Sequence, residues 1–517
     1  MGCYTDTMKF RVAVLGVSLL VLGGCATLPD RPLLEPVQAL PAAPSGALAE
    51  VSSQFVEAHG PDTSGFLSLV ESREALMWRL ALVDEATQSV DAQYFIFQND
   101  EAGNLLFYHL LKAADRGVRV RLLVDDMGFA PDDRTIAAIT MHPNFDIRIF
   151  NPGKIRGSTL GGATEFLLNM KQLNRRMHNK LFVVDNRLAI VGGRNIGNEY
   201  FGLGKKYNFR DLDVLVAGEV VPELSQAFDK YWNIDLSYPG GSMSDKAKVG
   251  DIDLLREAQK KYFAEHADTL ASYPVEPRQW KEEMLELTRD LVTGTGDFIQ
   301  DKPVLIGEEE YRLTDMLRYI AEPTSKELTI VSPYFIPTGD MLERLAETAS
   351  KGVETKLLTA SMASNNHTPA HSHYKKYRRR IIGGGTELRE FKAQPSAEVR
   401  AITDVPPVKA KFISLHIKAI VADGTSCFVG SLNLDPRAID LNTENGLYIK
   451  SPGLCGELDD FFDEMMKPEN AWRVHMNPDY TIYWEAGPDR ASFQPARGFF
   501  QRVADFFFRL IPMESQL

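Results

Sequence analysis

The sequence predicts an α/β protein of two homologous domains related by a pseudo-twofold axis and sharing one active site. Three observations carry this expectation. The stretch RRMHNKLFVVDNRLAIVGGRNIGNEY, Arg175 to Tyr200, is largely repeated as LHIKAIVADGTSCFVGSLNLDP from Leu415 to Pro436. Each copy has a histidine, a lysine two residues on and an aspartate five beyond that, followed by Gly-x-x-Asn: His178, Lys180, Asp185 and Asn195, then His416, Lys418, Asp423 and Asn433. From histidine to asparagine is 17 residues in both (195 − 178; 433 − 416). Smaller pieces recur in the same order. Tyr94-Phe95-Ile96 returns as Tyr334-Phe335-Ile336, Arg116-Gly117-Val118 as Lys351-Gly352-Val353, and Arg148-x-Phe150 as Arg389-x-Phe391. Their offsets of 240, 235 and 241 bracket the 238 between the two motif histidines, the mark of an internal duplication. Finally, helix and strand signals alternate in both halves, as layered α/β domains require. A chain of 517 residues has room for two domains of roughly 200 residues each.

In chain order, residues 1–25 read as an export signal: Lys9 and Arg11, an apolar run from Val12 to Leu22, then small residues. The run is too short to span a bilayer, which needs about 20 apolar residues. Leu22-Gly23-Gly24-Cys25 resembles a bacterial lipoprotein box, which implies lipidation of Cys25 and Cys25 as the mature N-terminus. Met8 is an alternative start, and an uncleaved anchor is the alternative to processing. Asp6 stands where N-myristoylation of Gly2 would need Ser or Thr. Ala26 after the cysteine, rather than Asp, points by the Gram-negative sorting rule to the outer membrane. Residues 26–61 are Pro- and Ala-rich and read as an extended tether, with the fold beginning near Gly65.

The first domain is expected over 62–238. Leu67 to Thr87 has helical periodicity and Val90 to Phe97 reads as a strand. A helix Gly103 to Arg116 passes through one Arg-Gly step into a strand, Val118 to Val124, and Ile147 to Phe150 is a further strand. Residues 239–307 have no counterpart in the repeat and read as a helical linker, with helices over Leu254 to His266 and Gln279 to Leu291. The second domain is expected over 308–490. An amphipathic helix closes the chain in 491–517, with Phe499, Val503, Phe506 and Leu510 on one face. Such a helix lies in a membrane interface or, more commonly, packs on its own protein.

The net charge of -13 would repel a phosphate backbone at long range, so nucleic acid is not an expected partner. Of four cysteines, Cys427 and Cys455 lie in the second half, where a bridge would need an oxidising compartment. Buried free thiols are the commoner outcome. The segment His367 to Arg380, HTPAHSHYKKYRRR, offers Lys375, Lys376 and Arg378 to Arg380 to lipid headgroup phosphates, or forms a solvated helix ahead of Gly383-Gly384-Gly385.

The chemistry lies in the paired motif. Each copy is two apolar runs broken by a polar turn, a β-hairpin pattern. On a strand, residues i and i+2 share a face, which predicts His178 beside Lys180 and His416 beside Lys418. An ammonium neutralises phosphoryl oxygens while an imidazole attacks phosphorus or moves a proton. Asp185 and Asp423 fall at the turns, either as plain turn residues or as groups that orient the site. Neither copy has a second His or Cys at ligand spacing, so no metal or cofactor is expected.

The pattern H-x-K-x4-D with G-[GS]-x-N, present twice, resembles the phospholipase D superfamily over nearly all of the chain from about Gly65. The surrounding AADRGVRVRLLVDD, LNRRMHNKLFVVD, GGRNIGNEYF, FRDLDV and GSLNLDPRAIDLNTENG look most like its cardiolipin synthase C branch. The resemblance implies ping-pong phosphatidyl transfer without a cofactor, on phosphatidylglycerol or a related phospholipid at a membrane. His178 would attack phosphorus and His416 would act as acid and then base. Lys180, Lys418, Asn195 and Asn433 would hold the non-bridging oxygens, with Asp185 and Asp423 supporting the site. Glu444 lies where the family carries an acidic residue; its first-half counterpart is Asp211 or Asp213. His371 resembles a position common in this branch and receives no catalytic role. Hydrolysis to phosphatidic acid is the nearest alternative, and a nucleic-acid phosphodiesterase or a non-catalytic membrane lipoprotein are more distant ones.

Overall fold

Both halves turn from helix to strand on one glycine. Gly117 (φ 99°) follows the helix Glu101–Asp115 and Gly352 (φ 88°) follows the helix Gly339–Ser350, each in the left-handed region that L side chains rarely adopt. The computed structural model describes residues 26–28, 30–129, 131–156, 173–248, 250–303, 313, 323–511 and 513–516. The expected export signal and the expected lipidation position, Cys25, lie outside the described residues.

The first half contains β1 (Ser64–Leu69), β2 (Ser89–Tyr94), β3 (Arg119–Asp125), β4 (Phe145–Phe150), β5 (Leu181–Val184), β6 (Leu188–Gly192), β7 (Tyr207–Arg210) and β8 (Asp213–Gly218). Strand β9 (Val292–Gln300) follows. The second half contains β10 (Glu327–Val331), β11 (Glu354–Ala360), β12 (Glu387–Phe391), β13 (Phe412–Leu415), β14 (Ala419–Ala422), β15 (Ser426–Gly430) and β16 (Asn445–Lys450). In the first sheet β2, β3 and β4 are parallel, and β5, β6, β8 and β1 follow antiparallel on the other side of β2. The second sheet repeats this: β10, β11 and β12 parallel, then β14, β15 and β16 antiparallel. The motif hairpins are β5–β6 and β14–β15.

Between the sheets lies a core fed by both halves, with Leu181, Val183 and Val191 on one side and Ala419, Val421 and Val429 on the other. The helices Val221–Trp232 and Pro452–Met466 add Phe228, Trp232, Leu458 and Phe462 to it. Separate cores back each sheet on its outer face. Cys427 and Cys455 are disulfide-bonded across β15 and the helix Pro452–Met466, so they are not the free thiols that free-cysteine habits favour.

The structure departs from sequence expectation in three places. First, the helix expected from Leu67 begins only at Ser72, because Leu67 to Leu69 belong to β1, which sits between β8 and β9, where both edges need an extended partner. Second, residues 30–61 are no loose tether. The backbone N–H of Ala39 donates to Asp229 (2.7 Å), that of Ala43 to the Asp185 carbonyl (2.9 Å), and the helix Ala47–His59 buries Leu48, Val51 and Phe55. Third, among the described residues the α-helices of the linker are Asp251–Glu265 and Lys281–Asp290, which pack Phe263, Trp280 and Leu287 onto the first domain. Its last stretch is β9, whose Val292–Gly294 pairs with β1 and whose Thr295–Gln300 pairs with β16, joining the two sheets. No helix among the described residues is long and apolar enough to cross a membrane.

Candidate active site

Two short contacts between the halves build the site. Strands β7 and β13 pair in parallel, Arg210 opposite Leu415, which sets the next residues, Asp211 and His416, side by side. A parallel bridge between Met177 and Thr443 does the same for His178 and Glu444. The result is a crossed pair of dyads. His178 Nδ1 lies 2.8 Å from Glu444 Oε2, and His416 Nδ1 lies 2.6 Å from Asp211 Oδ2. Each histidine is therefore oriented by the carboxylate of the other half. With Nδ1–H donated to that carboxylate, Nε2 keeps the lone pair.

The [GS] position of each motif explains how the acids fit. A Cβ on Gly193 would lie 2.2 Å from Asp211 Oδ1, so no side chain is tolerated there. In the second copy Ser431 occupies this position, and its hydroxyl donates to Glu444. Glu444 is further fixed by its own N–H, which donates to Asp301 (2.9 Å).

The two lysines precede their strands rather than lying within them, as the strand argument expects. Lys180 Nζ donates to the His178 carbonyl and Lys418 Nζ to the His416 carbonyl, both at 2.6 Å. Asn445 brackets the Lys180 backbone, accepting from its N–H (3.1 Å) and donating to its carbonyl (3.2 Å). Both ammoniums are buried. Burial, opposed by Glu444, pushes Lys180 down to about 7; burial, opposed by Asp211 and Glu444, pushes Lys418 down to about 8.

The two dyads differ in charge. Burial, then Lys180 and Lys418, hold His178 well below the usual imidazole range. Burial and Lys418 push His416 down to about 4 despite Asp211. The cross-half contacts His178–Glu444 and His416–Asp211 bring the two motifs together at one site. Burial raises Glu444 well above the ordinary carboxyl range, with Lys180 opposing. For Asp211 the burial effect is outweighed by His416, its hydrogen bond and Lys418, so its pKa is lowered and it stays ionised.

Asp185 and Asp423 are not brought to the histidines. Asp185 (φ 55°) turns the β5–β6 hairpin and accepts from the N–H groups of Thr87, Gln88 and Ser89 and from the Thr87 hydroxyl, each at 2.8 Å. Asp423 (φ 54°) accepts from the N–H groups of Ser325, Lys326 and Glu327. Each lies beyond a four-residue strand, about 13 Å of extended chain, from its lysine's end of that strand. They fasten the chain entering the first parallel strand of each sheet. The turn reading fits both.

Asn195 accepts from the Ile96 N–H (3.1 Å) and donates to the Tyr200 hydroxyl (3.0 Å), whereas Asn433 Oδ1 has no partner among the described residues. Of the two first-half candidates, Asp211 faces a histidine; Asp213 is paired with Arg79 (2.8 Å) and Arg194 (3.3 Å). Sequence reading missed Phe95, whose ring packs on His178, and Tyr200 and Phe209, which pack on His416. Phe95 stands in the repeated Tyr-Phe-Ile, a signal that was present. It also missed Arg437, whose charge helps lower His178. The basic segment is largely spent within the protein: Lys375 pairs with Asp505, Lys376 with Glu514, and Arg378 with Glu390 (2.6 Å).

The family described as cardiolipin synthase, PLD-like domain, matches residues 80–232 and 316–466, once in each half. Cardiolipin synthase C of Escherichia coli (strain K12) is 33% identical over 478 residues, covering 88% of this chain and 96% of that protein. A cardiolipin synthase of Clostridium perfringens (strain SM101) is 26% identical, covering 74% of this chain and 67% of its own length. Among solved structures, phosphatidylserine synthase of Haemophilus influenzae Rd KW20 superimposes with a TM-score of 0.51 at 16% identity, over 82% of this chain and 91% of that one, a likeness of fold.

Proposed function

The chain belongs to the cardiolipin synthase, PLD-like domain family, and from that premise we propose that it transfers a phosphatidyl group from its headgroup alcohol to the hydroxyl of a second lipid, making cardiolipin from phosphatidylglycerol or a related phospholipid. The observation that carries the reading is the crossed pairing of His178 with Glu444 and of His416 with Asp211.

Before substrate binds, burial and the lysines favour neutral imidazoles on both histidines. An anionic phosphodiester held by Lys180 and Lys418 offsets the two charges that depress the histidines. The ionised Asp211 then favours an imidazolium on His416, while Glu444, raised and shared with Ser431, leaves His178 the better neutral nucleophile. His178 Nε2 forms a bond to phosphorus as the phosphorus–oxygen bond to the first alcohol breaks, and His416 gives that oxygen a proton. The acceptor hydroxyl, carried by a second lipid, then loses its proton to His416 and attacks phosphorus, and the nitrogen–phosphorus bond breaks. Two exchanges of similar bonds leave the reaction nearly balanced, so water must be kept from the intermediate. Phe95, Tyr200 and Phe209 against the imidazoles serve that exclusion.

Purified protein given vesicles of labelled phosphatidylglycerol tests the reaction. Cardiolipin with release of glycerol is the expected product; phosphatidic acid alone would make the enzyme a hydrolase. We further read the body as facing the periplasm, lipid-anchored through Cys25 and sorted by Ala26 to the outer membrane. The Cys427–Cys455 disulfide supports export to an oxidising compartment. Membrane fractionation checks the location.

A further inference from the structure

The C-terminal helix Phe499–Arg509 is docked the wrong way round for a helix that serves its own core. Its polar side faces the protein: Asp505 is 2% exposed and pairs with Lys375, and Gln501 donates to the Met362 carbonyl (2.5 Å). Gln494, just before the helix, donates to Asp505 (3.3 Å) and accepts from Arg378 (3.0 Å). The apolar side faces outward. Phe499, Phe500, Phe506, Phe507, Leu510 and Ile511 are between 47% and 86% exposed, a concentration of bare aromatic surface unmatched elsewhere among the described residues. Leaving one such side chain in water forgoes about 2 kcal/mol of burial, and six together mark a surface made to be covered.

The same segment leads to the active site. Beyond the helix, Glu514 accepts from Lys376 and Tyr377, and Gln516 accepts from Asn174 (2.6 Å). Asn174 in turn accepts from Arg437 (2.9 Å), whose charge is felt at His178. On the near side, Arg497 donates to the carbonyls of Ala363 and Asn365 (2.6 and 2.9 Å). The next residue, Asn366, accepts from Ser414, two residues before His416 (3.4 Å). The aromatic face is thus held by the Lys375–Asp505 pair and by hydrogen bonds to segments that border the two histidines.

We propose that the helix Phe499–Arg509 immerses its outward aromatic face in the acyl region of a phospholipid bilayer and holds the mouth of the site against the lipid surface. Exposed Arg502 and Arg509 flank the aromatic residues and fit anionic headgroups, so the surface pairs an apolar stripe with cations at its margin, as a helix lying in a bilayer interface does. The inference rests on the reading of the substrate as phospholipid. It adds that the enzyme draws lipid laterally from a monolayer that its own helix has entered.

The test uses the full chain carrying Phe500→Trp, Phe507→Trp or, as control, Leu254→Trp, an exposed position on the helix Asp251–Glu265. Each is mixed with vesicles of phosphatidylethanolamine and phosphatidylglycerol with brominated acyl chains, and emission is read against the parent protein. Quenching of the added tryptophan at 500 and 507 but not at 254 is the expected result. No quenching at 500 and 507, or equal quenching at all three, overturns the proposal. So does a dimer in sedimentation that Phe500→Glu/Phe507→Glu dissociates in the absence of lipid. The double glutamate variant should lose at least about tenfold in transfer rate on vesicles while keeping its rate on a monomeric short-chain phospholipid. A parent protein that turns over neither substrate, yet still shows depth-specific quenching, would refute the phosphatidyl-transfer reading and leave the membrane helix standing.

Discussion

His178 Nδ1 sits 2.8 Å from Glu444 Oε2, a carboxylate 266 residues along the chain and in the other half of the molecule. With its counterpart between His416 and Asp211, this contact makes each histidine–carboxylate dyad a product of both domains. Neither half holds a complete dyad by itself.

Removing either imidazole should end transfer. His416→Ala loses the proton donor and acceptor and is expected to fall by about 10²–10⁴-fold, with His178→Ala at least as severe. Rates on labelled phosphatidylglycerol, with thermal unfolding to confirm an intact fold, check this.

Asp211→Asn and Asp213→Asn should part company. Asp211→Asn keeps the shape but removes the charge that favours the His416 imidazolium, so kcat falls with little change in stability. Asp213→Asn breaks buried pairs to Arg79 and Arg194 and should cost about 3–5 kcal/mol of stability. Denaturant unfolding set beside kcat separates the two roles.

Asp185→Ala removes an acceptor for three backbone N–H groups and a hydroxyl, and should destabilise by about 2–4 kcal/mol. The variant that stays folded should keep its rate per active molecule at low temperature. A selective loss of kcat without loss of stability would return this aspartate to the chemistry.

The buried lysines give stability and binding opposite pH dependences. Lys180 and Lys418 are lowered to about 7 and 8, while an unfolded lysine titrates near 10.4. Between about pH 7 and 10 the unfolded chain binds more protons at these two positions, so their contribution to the stability of the free enzyme rises with pH. Anion binding needs them charged, so affinity for a phosphodiester falls over the same range. Melting temperatures with and without a soluble phosphodiester should converge above about pH 8.

Cys427→Ser should lower stability by about 3–4 kcal/mol, as expected for a bridge closing 28 residues, and reducing agent should do the same to the parent protein only. Chemical denaturation with and without dithiothreitol measures it.

The duplication was legible because repetition needs no structural knowledge: equal spacing around His178 and His416 implies equal folds and a shared site. The partners of those histidines were only half legible. Glu444 was singled out by family likeness, but Asp211 and Asp213 stand two residues apart in FRDLDV, and only the β7–β13 pairing decides which meets His416. Asp185 and Asp423 belong to the repeated signature, and spacing alone does not separate a residue kept for chemistry from one kept for a left-handed turn. Strand β9, VTGTGDFIQ, carries two glycines and little apolar pattern, so its place between the sheets comes from tertiary pairing. At the C-terminus, periodicity revealed an apolar face on Phe499–Arg509. That the face turns outward depends on Lys375 waiting for Asp505.

The central claim is that one phosphatidyl group rests on His178 between the departing headgroup alcohol and the incoming lipid hydroxyl. Mixing enzyme with labelled phosphatidylglycerol, denaturing within milliseconds at alkaline pH, where nitrogen–phosphorus bonds survive, and mapping the label by mass spectrometry tests it directly. The account predicts a phosphatidyl adduct on the peptide that contains His178, absent from His178→Ala. Cardiolipin formation with the adduct on the His416 peptide, or with no adduct at all, would contradict it.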